Sequence, residues 1–344
     1  MKYIGNKTRL LDFIENAMTE SNIPFSGTFC DIFGGTGSVG RYFKNKGFKV
    51  ISNDFMTYSY IIQYVSVCLN QMPTFDNLGL GSVDGVIQYL NSLEPIEGYV
   101  FQNYAPSGIG GRQYFSDINA KRIDAVREQI QNWYNGNLIS KDEFFVLLSS
   151  LIDAADFVAN ISGTYGAYLK IWRSMALKPL TLKVPEIDNN NKDNEIYQQD
   201  ANNLIKQIEC DVLYVDPPYN ERQYAPNFHV LESLAVWDKQ ELSGKTGQRT
   251  YTDKKSSYCL KKDSIIAFND LISRAKARYI VVSYNNEGII PRDEIIRILK
   301  NKGEVAEYTT DYRRFRTERD NEHRQYKQFD DKVVEHLYIV TVKN

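Results

Sequence analysis

At 344 residues and 42% hydrophobic content, the chain is long enough for roughly two domains, or one with an insertion, around a sizeable core. A formal net charge of −2 excludes a global basic field, so any site for a polyanion must come from local clusters. Four scattered cysteines and three histidines, with no Cys-x-x-Cys pair, argue against structural zinc or a disulfide framework and fit a reducing cytoplasm.

Lys2 to Arg9 form a basic lead-in to an apolar helix over 10–18, and no signal core precedes it. A strand over 28–33 follows. It runs into Asp31-Ile32-Phe33-Gly34-Gly35-Thr36-Gly37-Ser38, a strand end, a glycine loop and a helix start. Gly35 and Gly37 let the backbone approach a ligand closely, and the first turn of a helix over 38–46 offers free N–H groups. Gly47 is placed to end that helix. The next strand, 49–53, closes on Asn53-Asp54, where a carboxylate could hold the hydroxyls of a ribose or simply cap a helix. The glycine loop is not a phosphate loop, because Lys and Ser/Thr do not follow it in the required order.

Residues 56–195 are too long for one crossover between strands. They hold helical patterns over 118–133 and 141–159 and a glycine-rich loop, 107–112. The longest apolar run, 144–161, is broken by Asp153 and Asp156, so it reads as a buried helix and not as a membrane span. The segment is therefore expected as a mainly helical insertion, with 188–195 as a surface linker back to the sheet. Short strands over 196–199, 211–215, 278–284, 304–309 and 335–342, with a helix over 291–300, complete a mostly parallel sheet with covered faces. The last two strands lack a helix between them and are expected to pair antiparallel at the sheet edge. The polar stretch 243–263 reads as a mobile loop. Its Ser243-Gly244-Lys245-Thr246 resembles part of a phosphate loop, but the earlier glycine is missing and no buried strand precedes it.

Asp216-Pro217-Pro218-Tyr219 follows directly on the strand 211–215. The carboxyl end of a strand is where α/β sheets bind ligands. Two prolines remove backbone donors and fix φ, leaving the Pro217 carbonyl able to accept a hydrogen bond outside regular structure. A carboxylate, a carbonyl and the flat ring of Tyr219 together can hold a planar amine. A plain proline turn after a strand would have the same tetrapeptide.

Tyr-x-Gly-Asn-Lys at the start, the Asp-x-Phe-x-Gly-x-Gly loop, Asn-Asp after the second strand and the late Asp-Pro-Pro-Tyr stand in one order. That order resembles the Dam-like alpha group of DNA adenine N6-methyltransferases. Further stretches around Tyr114-Phe115-Ser116-Asp117, 163–170 and Arg222-Gln223-Tyr224 are similar to the FokI-type modification methyltransferases in particular. The resemblance implies a class I S-adenosylmethionine-dependent fold: a Rossmann-like, mostly parallel seven-stranded sheet. It divides the chain into a catalytic part, 1–55 and 196–344, and an inserted helical target-recognition region, 56–195.

The same resemblance implies S-adenosylmethionine as cofactor and no metal. It assigns Tyr3, Lys7 and Asp31 to the cofactor pocket, puts Phe33, Gly35 and Gly37 around the methionine portion, and sets Asp54 on the ribose. Asp200 matches the position that recognises the cofactor's adenine, although it could instead cap the following helix. Asp216, Pro217, Pro218 and Tyr219 become the catalytic set, acting on an adenine that has left the duplex. Double-stranded DNA is the implied partner, with a cognate restriction endonuclease as a second. Arg112, Arg222, Arg313, Arg314 and Arg316 are candidate DNA contacts; Arg122, Arg127, Tyr114 and Trp133 are alternatives, and a solvated charged loop would also fit the arginine run. An amine methyltransferase acting on RNA or protein, and a non-catalytic DNA-binding protein, are the competing classes. Cytosine carbon-5 chemistry is disfavoured, because it needs a cysteine nucleophile and no Pro-Cys pair exists.

Overall fold

All seven expected strands form and join one sheet. They are β1 (Thr28–Asp31), β2 (Lys49–Asn53), β3 (Glu195–Tyr197), β4 (Cys210–Val215), β5 (Ala277–Asn285), β6 (Gly303–Arg313) and β7 (Lys332–Val342). The computed structural model describes residues 7–313 and 332–343. The sheet order is β3-β2-β1-β4-β5-β7-β6. The first five strands run parallel. β7 lies antiparallel between β5 and β6. The expected antiparallel edge pair is therefore present, with the later strand inside and the earlier one at the edge.

Twelve helices are named along the described chain: α1 (Leu11–Glu20), α2 (Ser38–Asn45), α3 (Thr57–Gln63), α4 (Val83–Ser92), α5 (Tyr99–Tyr104), α6 (Asp117–Asn135), α7 (Lys141–Phe157), α8 (Ala201–Leu204), α9 (Tyr224–Asn227), α10 (His229–Val236), α11 (Ser264–Arg274) and α12 (Arg292–Lys300). They divide between two compact units, each with its own core. The sheet unit contains the described residues of Gly5–Phe55, Asn190–Gln223 and Lys254–Asn344.

Both faces of the sheet are apolar because β1, β4 and β5 carry continuous buried runs whose successive side chains point to opposite sides. Cys30, Leu213, Ile280 and Val340 pack with Leu204, Phe268 and Leu299 from α8, α11 and α12. On the other side Phe29 stacks on Phe43 of α2, with ring centroids 4.2 Å apart. α1 adds Ile14, Ala17 and Met18, an i, i+3, i+4 stripe that is fully buried. α2 ends as its sequence dictates: Gly47 adopts φ 94°, a left-handed conformation that glycine takes without strain.

The helical unit contains Met56–Asn189 and Tyr224–Asp253. Its second segment departs from the division read in the sequence, which left 224–253 with the catalytic part. The reason is packing. α10 is buried nearly all round, and Val230, Leu231 and Leu234 are completely buried among helices. Its Glu232, 3% exposed, accepts from the backbone N–H groups of Thr57 and Tyr58 at 3.1 Å each, and so holds the first turn of α3. Arg127 of α6 donates through Nε to the Leu234 carbonyl at 2.8 Å and lies 4.9 Å from the Trp237 ring centroid.

The polar stretch 243–263 is likewise tied down and not a loose loop. Ser243 and Gln248 exchange backbone hydrogen bonds of 2.8 Å. His229 reaches the Thr246 carbonyl at 3.0 Å. Two helical turns, Thr252–Lys254 and Ser257–Cys259, follow. The run 188–195 also does more than link: Asn194 Oδ1 accepts from Val50 N at 2.9 Å, and Asn190 donates to the Phe48 carbonyl at 2.7 Å.

One buried amide fixes the carboxyl edge of the sheet. Asn53, 1% exposed, donates to the carbonyls of Ile32 and Gln199 at 3.0 and 3.1 Å and accepts from Gln199 N at 3.0 Å. It thereby joins the ends of β1 and β3 across β2. Asn53→Ala would strand these backbone groups and is expected to cost about 3 kcal/mol, measurable as a lowered urea midpoint with an unchanged denaturant slope.

Candidate active site

The order β2-β1-β4-β5 reverses direction between β1 and β4, and ligands of open α/β sheets bind beyond the strand ends at such a point. Parallel pairing brings the loops after β1, β2, β3 and β4 to the same edge. These loops carry Phe33 to Gly37, Asp54, Asp200 and Asp216. The register brings these residues together, since Asp31 pairs with Tyr214, two residues before Asp216.

The glycine loop turns with Gly35 at φ 53° and Gly37 at φ 75°. Gly34 N donates to the Asn53 carbonyl at 2.7 Å, and Gly35 N donates to Asp54 Oδ2 at 2.9 Å. One oxygen of Asp54 therefore orders the loop from the neighbouring strand. Asp200 caps α8, accepting from Asn203 N at 3.1 Å. The capping alternative is what this contact shows. Phe33 stands edge-on to Tyr258, with centroids 5.0 Å apart.

Asp216 is 14% exposed through its side chain and forms an ion pair with Lys7 at 3.3 Å. Lys7 is itself buried and makes a shorter bond, 2.5 Å, to Glu335 of β7. Ser283 of β5 donates to the same Glu335 oxygen at 2.7 Å. Burial disfavours the Lys7 charge, but the Asp216 and Glu335 carboxylates outweigh it and hold the ammonium well above the ordinary lysine range. Burial pushes the Asp216 carboxyl up to about 7; the Lys7 charge works against this and the Glu335 charge with it. Burial, with the neighbouring Asp216 and Asp54 charges, raises Asp31 to about 8. Asp31 Oδ1 is fully buried and has no hydrogen-bond partner among the described residues.

The Asp216-Pro217-Pro218-Tyr219 turn is braced by the loop after β5. Ile289 N donates to the Tyr219 carbonyl at 3.0 Å, and Ile290 N to the Tyr284 hydroxyl at 3.0 Å. The Tyr219 and Tyr284 rings meet edge-to-face at 6.5 Å. Gly288 makes this possible, because a Cβ there would lie 2.0 Å from the Tyr284 ring. Among the described residues no donor reaches the Pro217 carbonyl.

The candidate DNA contacts separate by burial. Arg222 is exposed on the loop beyond the tetrapeptide. Arg112 is not a free reader: its guanidinium donates to the carbonyls of Asn103, Gly244 and Lys245 at 2.9, 3.1 and 3.2 Å, clamping two loops of the helical unit. Arg127, Tyr114 and Trp133 are core residues at 1%, 0% and 8% exposure, and Arg122 donates to the Asn91 carbonyl. A charged or aromatic residue on a helix does not disclose from sequence whether it faces a core. Arg313 pairs with Lys332 where β6 meets β7. Tyr3, Arg314 and Arg316 lie outside the described residues. The sequence reading missed Asn53, Ser283 and Glu335. Only Glu335 carried a signal, a lone acid in the apolar run 333–342.

A mostly parallel sheet with only β7 reversed, a glycine loop after β1 and acidic side chains at the switch point define a class I S-adenosylmethionine-dependent methyltransferase fold. Residues 3–298 match the family described as D12 class N6 adenine-specific DNA methyltransferase, and the chain belongs to that family. It is 42% identical over 328 residues to the type II methyltransferase M.FokI of Planomicrobium okeanokoites, an alignment covering 94% of this chain and 50% of that one. It is 40% identical over 346 residues to the type II methyltransferase M.NlaIII of Neisseria lactamica, covering 99% of both. To M.CviAII of Paramecium bursaria Chlorella virus 1 it is 33% identical over 320 residues, covering 92% of this chain and 93% of the relative. The chain thus spans about half the length of M.FokI and nearly all of M.NlaIII.

The raised Asp31 carboxyl has a consequence for stability. A folded-state pKa of about 8 against an ordinary 3.8 means that the folded protein holds this proton longer than the unfolded chain. The stability so contributed is complete below the ordinary value and is lost as pH rises through the folded one. Asp31→Asn removes the titration. Its melting temperature relative to the wild type is expected to rise progressively between pH values near 4 and 8, and a constant difference in calorimetric scans would contradict this.

Proposed function

We propose that the chain methylates adenine N6 within a defined sequence of duplex DNA, using S-adenosylmethionine, as the modification arm of a restriction system. The observation that carries this is the Asp216 carboxylate beside a Pro217 carbonyl that no donor reaches among the described residues, at the switch point of the sheet. The buried, partnerless Asp31 Oδ1 fits the cofactor, since an acceptor there suits the ammonium of a methionine moiety. Lys7, Phe33, Gly35, Gly37 and Asp54 would complete the pocket, with Asp200 near the adenine and Tyr3 at the chain start. When bound, S-adenosylmethionine supplies an electrophilic methyl group and leaves as a thioether.

The adenine amine is a weak nucleophile because its lone pair is delocalised into the ring. Asp216 and the Pro217 carbonyl each accept one N6 hydrogen, which favours a tetrahedral nitrogen and frees the pair. Tyr219 stacks on the base after it leaves the duplex. Alignment supplies much of the acceleration. The proton shed by the methylated amine passes to Asp216 or to water. Because Asp216 must be ionised to accept, transfer falls as pH drops below about 7.

Arg222, exposed beside the tetrapeptide, is a contact for the DNA backbone, and selection of the target sequence belongs to the helical unit. A cognate endonuclease is the natural partner of such an enzyme. All four cysteines are free thiols, in keeping with a reducing cytoplasm. No helix among the described residues is long and apolar enough to cross a membrane.

Transfer of tritiated methyl to duplex DNA, RNA and protein tests the substrate class; label on RNA or protein alone would refute the reading. Asp216→Ala is expected to lower transfer by at least about 10³-fold while cofactor affinity by calorimetry stays near wild type. Arg222→Ala is expected to weaken DNA binding and to reduce the slope of log affinity against log salt by about 1.

A further inference from the structure

We propose that Glu335 is a positioning residue for Asp216, acting through Lys7, and that Ser283 holds it in place. This rests on the reading of Asp216 as acceptor of the adenine amine. Lys7 is placed unequally between its two carboxylates, 2.5 Å from Glu335 and 3.3 Å from Asp216. A charge-assisted N–H···O bond has an ordinary length of about 2.7–2.9 Å, so the contact to Asp216 is a loose ion pair. Asp216 therefore keeps lone pairs for the incoming amine while still facing a cation. Lys7 is 5% exposed, and without Glu335 its buried ammonium would have Asp216 as its nearest counter-charge. It would close on that carboxylate and compete with the amine for it.

Ser283 removes the slack from this arrangement. Its hydroxyl and the Lys7 ammonium both donate to Oε1 of Glu335, at 2.7 and 2.5 Å. Glu335 sits at the amino end of β7, opposite Asn285 of β5. The reversal of β7 is what carries an acid from the last strand to the edge where the parallel strands end. One ammonium against two carboxylates leaves a net negative charge beside the reacting nitrogen. That charge opposes the positive charge developing on N6 and favours the transition state.

The titratable groups around Asp216 come from every element at this edge. Lys7 precedes α1, Asp31 ends β1 with Asp54 beyond β2, Tyr214 lies in β4, Tyr219 follows it, and Glu335 enters from β7. Removing the Glu335 charge has two effects on this set. Asp216 loses a like-charged neighbour and gains a closer Lys7, so its titration moves to lower pH. Its oxygens are also more occupied, so transfer slows even where Asp216 is fully ionised. A merely structural role would slow transfer without moving the titration.

The test uses the full chain and the variants E335Q, E335D and S283A. Single-turnover transfer to duplex DNA is measured across pH, and the Asp216 carboxyl is titrated by carbon-13 NMR in the protein alone, assigned with D216N. E335Q is expected to lower the plateau rate by about tenfold and to shift the Asp216 titration down by about one pH unit. E335D keeps the charge and is expected to titrate near wild type with part of the rate restored. S283A is expected to lose severalfold in plateau rate with its titration unmoved. An E335Q enzyme with wild-type rate, or with slowed transfer and an unmoved titration, overturns the proposal. Should E335Q not fold, S283A carries the test, and an unchanged plateau rate overturns it. If the wild type leaves duplex DNA unlabelled, it is the methyltransferase reading that fails, while the NMR shift still reports on the coupling of Glu335 to Asp216.

Discussion

A single buried ammonium governs this site. Three carboxylates, Asp31, Asp216 and Glu335, gather where the sheet changes direction, and Lys7 stands between two of them. Charges cannot leave water without compensation. The compensation here is partial and uneven. Glu335 receives the strong bond, Asp216 the weak one, and Asp31 remains protonated over much of the neutral range. Two carboxyl groups with displaced titrations in one pocket are a recurrent mark of catalytic sites. The cost of keeping them buried is met by the β sheet around them, whose inner strands lie between apolar layers on both faces.

The topology explains why these groups meet. Five parallel strands bring their following loops to one edge, so residues far apart in sequence share a site without any long-range design of individual contacts. β7 runs the other way, and its first residues join that edge from the opposite direction. Lys7 and Glu335, separated by 328 positions, become hydrogen-bonded partners through this reversal. Asn53 then locks the edge by satisfying three backbone groups of two other strands. Local order at the glycine loop follows from the same edge, with Asp54 just beyond β2 holding Gly35 after β1.

The helical unit obeys a different constraint. Its apolar helices need one another, and the chain returns to it after the Asp216–Tyr219 turn. α10 joins α3 and α7 with nearly every side chain buried; its polar residues are paired inside the unit, Glu232 holding the start of α3 and His229 the Thr246 carbonyl, while Arg127 donates to the Leu234 carbonyl. Arg112, Arg122 and Arg127 are therefore structural parts of that unit: they donate hydrogen bonds to carbonyls of loops and helix ends. Charge on a helix in sequence is compatible with either a solvent face or an inward clamp, and the packing settled which.

The strands, the glycine loop, the helix ends at Gly47 and before Gly303, and the order of the motifs were legible in the sequence, because each depends on residues a few positions apart. Periodicity, turn chemistry and proline placement act locally. The position of Asp216 and Pro217 directly after a buried strand was legible for the same reason. The roles of Glu335, Ser283 and Asn53 and the place of 224–253 in the helical core were decided only by tertiary structure. Each depends on which distant backbone group or charge arrives at hydrogen-bonding distance, and strand order and direction set that arrival.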